Sequence, residues 1–165
     1  MLKKIVLFAL LLIPVMGFGQ EKIAYFKSSD VIPAMPEYTQ MLDSLKKSEA
    51  ALQAELETMA DEYTKKVTAF SEQQATLNES IKALRLKEIE RIRESTETFQ
   101  RQAAQIQDDL QKTLFTPIEA KIRKALQEVG AENQFTYIVN ADIMLYISPQ
   151  SQDATPLVKT KLGIK

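Results

Sequence analysis

The chain has 165 residues with 21 basic and 22 acidic side chains and a net charge of −1. It therefore lacks the basic excess with which proteins neutralise nucleic-acid phosphates. It contains no cysteine and no histidine, which excludes disulfides and removes the common transition-metal ligands and the usual nucleophile and base pairs. We predict a protein that is not an enzyme, holds no metal or cofactor and binds no nucleic acid.

Residues 1–19 have the layout of a secretory signal peptide. A positive start at Lys3 and Lys4 is followed by an apolar run at 5–16 and by small residues up to Gly19. The run is shorter than the roughly 20 apolar residues that cross a bilayer. An uncleaved anchor is the alternative, which a proline late in the run disfavours. We expect cleavage near Gly19 and a mature chain outside the cytoplasm.

A short strand is predicted at residues 22–26, and a long helical tract follows between Pro36 and Pro117. Within that tract, residues 37–116 contain neither glycine nor proline and are rich in strong helix formers. Apolar residues recur at the 3,4 spacing of a coiled-coil seam. One series is Tyr38, Leu45, Leu52 and Met59, and the other is Leu42, Leu56, Tyr63, Phe70, Leu77 and Leu84.

The seam changes register after Leu84 and resumes at Ile89, Ile92, Phe99, Ala103, Ile106 and Leu110. This change favours two helices joined by a reversal over one unbroken helix. We expect a helical-hairpin arm over residues 36–116 with its tip between 72 and 82, where Thr76 and Glu79 form a candidate capping box. Polar residues such as Lys66 interrupt the distal seam. They indicate either coiled-coil register control or weakly packed, mobile arm ends.

The segments 20–35 and 117–165 form a predicted β-containing body. Thr116-Pro117 has the form of a helix start, so we expect the chain to bend or restart there. Gly130 is expected to end the helix in a left-handed cap.

The segment QFTYIVNADIMLYIS predicts a β-hairpin. Residues 135–139 and 143–147 are β-branched and aromatic runs on either side of the turn-forming Asn140-Ala141-Asp142. A short helix follows near 156–162. Because a small sheet leaves open edges and these runs are apolar on both faces, we expect the chain to oligomerise through its sheet.

Taken in order, these elements resemble the Skp/OmpH family of periplasmic chaperones. The resemblance is carried by KIAYFKSSDVIPAMPEY, by the long arms rich in Ala, Gln and Glu, and by YIVNADIMLYISPQSQDATPLVKTKLG. It implies a mostly α fold with a small β body, in which long antiparallel coiled-coil arms project from a trimeric β-barrel core. It also implies a periplasmic location and a homotrimer.

The function implied by the resemblance is that of an ATP-independent holdase. Such a chaperone binds unfolded outer-membrane β-barrel proteins in a cavity between the arms and prevents their aggregation. The implied trimer-body residues are Ile23, Tyr25, Ile138, Val139, Leu145 and Ile147. The arm residues implied to face the client are Tyr63, Phe70, Leu77 and Leu84, which packing within the arm would explain equally well.

The charge of the arms departs from that of the family's best-known members, which are strongly basic. Residues 71–95 carry five acidic and five basic side chains. This balance argues against binding to lipopolysaccharide or to membrane surfaces. A structural coiled-coil adaptor of a cell-envelope assembly is the alternative function, although adaptors of that kind carry further β-rich domains beside their hairpin.

Overall fold

The structure, a computed structural model, describes residues 21–165, and the predicted signal peptide lies outside this range. In chain order the elements are β1 (Ile23–Phe26), α1 (Ser28–Val31), a 3-10 helix (Ile32–Ala34), α2 (Pro36–Gln73), α3 (Glu79–Asn133), β2 (Tyr137–Asn140), a second 3-10 helix (Ala141–Ile143), β3 (Gln152–Asp153) and α4 (Thr155–Leu162). Long helices and a small sheet are the predicted fold class.

The described residues form two compact units. A body unit comprises residues 21–31 and 123–165, and an arm unit comprises residues 32–122. Helix α3 is continuous across residues 122 and 123, so it contributes to both units.

The arm unit consists of α2, the first part of α3 and the short connection at residues 74–78. Helix α3 is capped by Asn78, whose side-chain oxygen accepts a hydrogen bond of 2.9 Å from the backbone amide of Ile81. The predicted capping box at Thr76 is wrong, because the Thr76 hydroxyl donates instead to the carbonyl of Gln73 at 2.9 Å. The helix begins late enough that the N-cap position falls on Asn78.

Pro117 lies inside α3, so the predicted restart at Thr116-Pro117 is wrong. A proline in a helix interior costs about 3 kcal/mol because it removes one backbone hydrogen bond and crowds the preceding turn. The residues that follow offset this cost, since Ile118 and Ile122 are both buried. Burying each of these side chains contributes roughly 1.5–3 kcal/mol.

Gly130 also lies inside α3, so its predicted role as the helix cap is wrong. The left-handed residue is Gln134, with φ 57°. The Phe135 amide donates to the Gly130 carbonyl at 3.0 Å, and the Gln134 amide donates to the Ala131 carbonyl at 3.4 Å. These two bonds form a Schellman motif with glutamine in the position usually held by glycine.

The seam of the arm unit is buried at fewer positions than the heptad pattern predicted. The buried apolar residues of this unit are Met35, Met41, Ile92, Ala103, Ile118 and Ile122. Met41 takes the place expected for its neighbour Leu42, which is 46% exposed. Ile106, also expected in the seam, is exposed to the same extent.

The body unit contains a three-stranded sheet with β1 in the centre and β2 and β3 at the edges. Both edge strands run parallel to β1. Ala24 and Phe26 face the core, where they are buried together with residues of α1, α3 and α4: Val31, Ala125, Val129 and Val158.

The β-hairpin predicted for residues 135–147 is wrong. Its first strand exists as β2, but the chain then enters a 3-10 turn, and residues 143–147 form no strand. The Asp142 amide donates to the Asn140 side chain at 3.1 Å, which closes this turn. Within the described residues the outer edge of β2, where the second run of a hairpin would pair, therefore stays open.

Candidate functional site

One face of the sheet points away from the core and is apolar. The register pairs Ile23 with Tyr137 and Tyr25 with Val139. Paired residues in a parallel ladder lie on the same face, opposite to that of the buried Ala24 and Phe26. We call the four residues Ile23, Tyr25, Tyr137 and Val139 the outer face. Ile23 and Tyr137 are about half exposed.

Ile138 lies on the opposite side of β2 from the outer face. It is paired with the buried Ala24, and its Cδ1 atom lies 3.7 Å from the position that a Cβ at Gly130 would occupy. Ile138, which is one of the trimer-body residues implied by the resemblance, therefore packs toward α3. Ile23, Tyr25 and Val139 share the outer face.

A second apolar surface follows β2 directly. Within the segment 143–146, the exposed fraction is 77% for Ile143, 43% for Met144, 106% for Leu145 and 79% for Tyr146. We call this segment the apolar loop. Leu145 was among the implied trimer-body residues, and Ile147, another of them, is half-buried just beyond the loop.

The start of the apolar loop is fastened to α1 by Asp142. One carboxylate oxygen accepts from the Ser28 hydroxyl at 2.6 Å and from the Ser29 amide at 2.8 Å, and the other accepts from the Ser29 hydroxyl at 2.8 Å. These hydrogen bonds lower the pKa of the Asp142 carboxyl, and the one from the Ser28 hydroxyl has the largest effect, ahead of those from the Ser29 amide and hydroxyl. The sequence identified Asp142 only as a turn residue, because its partners Ser28 and Ser29 lie more than 110 positions earlier and no local sequence pattern indicates them.

The arm unit contains a cavity of about 300 Å³ between α2 and α3 close to the connecting residues 74–78. Its lining includes apolar Ala69, Phe70, Leu77 and Ile89 and charged Lys65, Lys66, Arg85 and Glu88. Phe70 and Leu77, two of the implied client-facing residues, are thus half-buried between the helices.

The other two implied client-facing residues differ from each other. Tyr63 is half-buried and lines a separate cavity with Arg93 and Thr96. Leu84 is 64% exposed and is joined, one helical turn earlier, by Ile81 at 38%. Only Leu84 among the four is largely open to solvent.

Ion pairs connect the two helices of the arm unit. Lys66 lies 2.6 Å from Glu88, and each of these side chains is about one third exposed. The Lys66 ammonium lowers the pKa of the Glu88 carboxyl. A second pair joins Glu37 to Lys121, and the Lys121 ammonium lowers the pKa of Glu37. The polar interruption of the seam at Lys66 is therefore matched by a partner on α3.

Among residues 21–165, no group of carboxylates is arranged to hold a metal ion. None of the helices in this range is long and apolar enough to cross a membrane.

Comparison with known proteins gives a family and a fold. The family model "Outer membrane protein (OmpH-like)" matches residues 22–162. No curated protein matches the chain. Among solved structures, the chain is similar to a candidate outer membrane chaperone (OmpH-like) from Caulobacter crescentus CB15, with a TM-score of 0.75 and 12% sequence identity. The match covers 88% of this chain and 86% of that one, and at this identity it shows a shared fold.

Proposed function

The chain belongs to the OmpH-like family, and on that basis we propose that it is an ATP-independent holdase chaperone of the periplasm. Its clients are unfolded outer-membrane β-barrel proteins, and it works as a homotrimer. The similar fold of the Caulobacter protein, a candidate outer membrane chaperone, supports the chaperone class.

The observation that carries the proposal is the exposure of aliphatic side chains on the distal arm. Val67 on α2 and Ile81, Leu84 and Leu86 on α3 are between 37% and 64% exposed. Isolated exposed apolar residues are normal on a protein surface, but four within some twenty residues offer repeated weak contacts to an unfolded apolar chain.

Holding by such contacts needs no nucleotide. A chaperone that binds only the unfolded client stabilises that state by mass action, by about 2.7 kcal/mol at a concentration 100 times the dissociation constant. Several weak contacts made at once by different arms reach that level through their effective concentration. Each contact remains weak enough for the client to leave.

Self-association is supported by the body unit. The outer edges of β2 and β3 are open in the described chain, and the outer face and the apolar loop expose aromatic and aliphatic side chains. Open edges and exposed apolar faces are features that natural sheets cover or pair. Packing of these surfaces between copies would bury them.

The experiment measures light scattering after a urea-unfolded outer-membrane β-barrel protein is diluted into the mature chain. We expect wild type to keep the mixture clear, and the double variant Ile81→Ser/Leu84→Ser to require several-fold more protein for the same effect. The matched control is Leu42→Ser/Ile106→Ser, which removes two aliphatic side chains that are each 46% exposed, far from residues 74–78.

The outcomes separate the parts of the proposal. If wild type leaves aggregation unchanged, the holdase function is wrong. If wild type holds the client and both double variants match it, the distal arm is not the contact surface. Light-scattering mass of the free protein tests the trimer, because a mass of one chain would contradict it.

A further inference from the structure

Asp142 connects parts of the body unit that are distant in sequence. Its two carboxylate oxygens together accept three hydrogen bonds of 2.6–2.8 Å from Ser28 and Ser29 at the start of α1. Asn140 extends the network, because its side-chain amide donates to the Ser28 hydroxyl at 2.9 Å and its oxygen accepts from the Asp142 amide. We call these four residues the clasp.

The clasp holds one end of the connection between β2 and β3, and β1 holds the other. The Ala154 amide, just after β3, donates to the carbonyl of Tyr25 at 2.7 Å. The amide of Lys27 donates to the Thr155 hydroxyl at 3.0 Å. Both ends of the connection are therefore fixed to the same stretch of chain, residues 25–29.

Between these fixed ends the connection presents its apolar side chains to solvent. Residues 143–151, IMLYISPQS, contain no charged side chain. Leu145 is fully exposed. An uncharged apolar surface is suited to pack against another uncharged apolar surface. The outer face of β1 and β2 is also uncharged and apolar, and on β2 it ends at Val139, next to the clasp residue Asn140.

We propose that Asp142 is a positioning residue for self-association: it holds the apolar loop in the conformation on which a second copy of this chain packs. The inference rests on the proposed homo-oligomer and goes beyond it by naming the residue that prepares the surface. Ordering a backbone costs about 1–2 kcal/mol per residue at 25 °C. When the clasp has already ordered the loop, association does not bear that cost.

The test compares the mature wild-type chain with Asp142→Asn by light scattering and sedimentation over a range of concentrations. The substitution keeps the side-chain size but removes the charge and one acceptor from the clasp. We expect the dissociation constant of the oligomer to rise about tenfold or more. Asp30→Asn removes the same charge from the neighbouring helix α1 and is expected to leave association unchanged.

A covalent clasp distinguishes positioning from general stability. Because the chain has no cysteine, the double variant Ser29→Cys/Asp142→Cys introduces the only pair that an oxidant could join. The Ser29 Oγ lies 2.8 Å from the Asp142 Oδ1, and the sulfur introduced by Asp142→Cys would replace the Asp142 Cγ, one bond before that oxygen. Mass spectrometry of the oxidised protein first establishes that the disulfide has formed within one chain. Oxidised protein should associate like wild type and reduced protein like Asp142→Asn, while the far-UV circular dichroism of both stays that of folded protein.

The results distinguish the formation of the oligomer from the positioning role of Asp142. If wild type is an oligomer and Asp142→Asn associates as tightly, the clasp does not prepare the surface, although the oligomer stands. The same conclusion follows if the oxidised double variant associates as weakly as the reduced one. A wild-type chain that stays monomeric at every concentration overturns the oligomer and the positioning role together.

Discussion

Replacing Gly130 with alanine should stabilise the protein. The residue lies inside α3 without a left-handed backbone, and glycine in a helix interior is less stable than alanine by roughly 0.5–1 kcal/mol. The added methyl group would lie 3.7 Å from Ile138 Cδ1, an ordinary van der Waals contact, so no strain opposes the gain. We expect the free energy of unfolding to rise by about 0.5–1 kcal/mol and the midpoint temperature by about 1–4 °C.

The assay is thermal and urea unfolding followed by circular dichroism, at one fixed protein concentration because association also changes stability. Ala131→Gly is the matched control, since it makes the reverse change at the next, exposed position of the same helix. It should lower the stability by about as much as Gly130→Ala raises it. Gln134→Gly should also stabilise, because a non-glycine residue in the left-handed region costs roughly 1–2 kcal/mol, part of which the freer unfolded glycine cancels.

The sign of the Gly130→Ala effect tests the assignment of the helix end. If Gly130 were the left-handed cap, as its sequence position suggests, alanine would destabilise the protein by roughly 1–2 kcal/mol. A measured loss of that size would refute the continuous helix through Asn133 and the Schellman motif at Gln134.

Three further predictions concern the arm and the core. Asn78→Ala removes the cap of α3 and should lower stability by about 1 kcal/mol, measured by urea unfolding, with no loss if the Ile81 amide finds another acceptor. Val158→Ala should cost about 2 kcal/mol, because Val158 is fully buried in the body unit; a cost near zero would mean that α4 does not pack there. The pKa of Glu88 is lowered by Lys66, so the pair stabilises the arm above the ordinary pKa of 4.5 and loses that contribution as the pH falls through the lower folded value. Lys66→Met should therefore flatten the acid side of the stability profile, and an unchanged profile would show that the pair contributes nothing.

The helices were predictable because their signals are local. Residues 37–116 contain no glycine or proline and follow a 3,4 apolar repeat, which predicts long paired helices with a break near the observed connection at 74–78. The two wrong predictions within α3 concern a proline and a glycine, which are residue types that usually mark the end of a helix. Pro117 and Gly130 lie inside α3, where burial of the apolar residues between them outweighs their unfavourable intrinsic propensity; these residues are Ile118, Ile122, Ala125 and Val129.

The sheet was less predictable because its pairings join residues that are more than 110 positions apart. Asn140-Ala141-Asp142 has the composition of a hairpin turn, and the chain does turn there. The side chains that close the turn bind Ser28 and Ser29, however, and no local pattern reveals those partners. Strand β3 has only two residues, Gln152 and Asp153, and no β-branched or aromatic side chain, so propensity could not identify it.

The composition of residues 143–147 explains both the incorrect hairpin prediction and the proposed self-association. Residues 143–147 have the β-branched and aromatic composition of a strand, yet within residues 21–165 they pair with no strand of the sheet and Leu145 is wholly exposed. Exposing this run to water is unfavourable, because burying each of its large apolar side chains would contribute roughly 1.5–3 kcal/mol of free energy. The sheet edges of a second copy could supply both the missing hydrogen-bond partners and the missing burial. We therefore expect this apolar run to make contacts between chains rather than a hairpin within one chain.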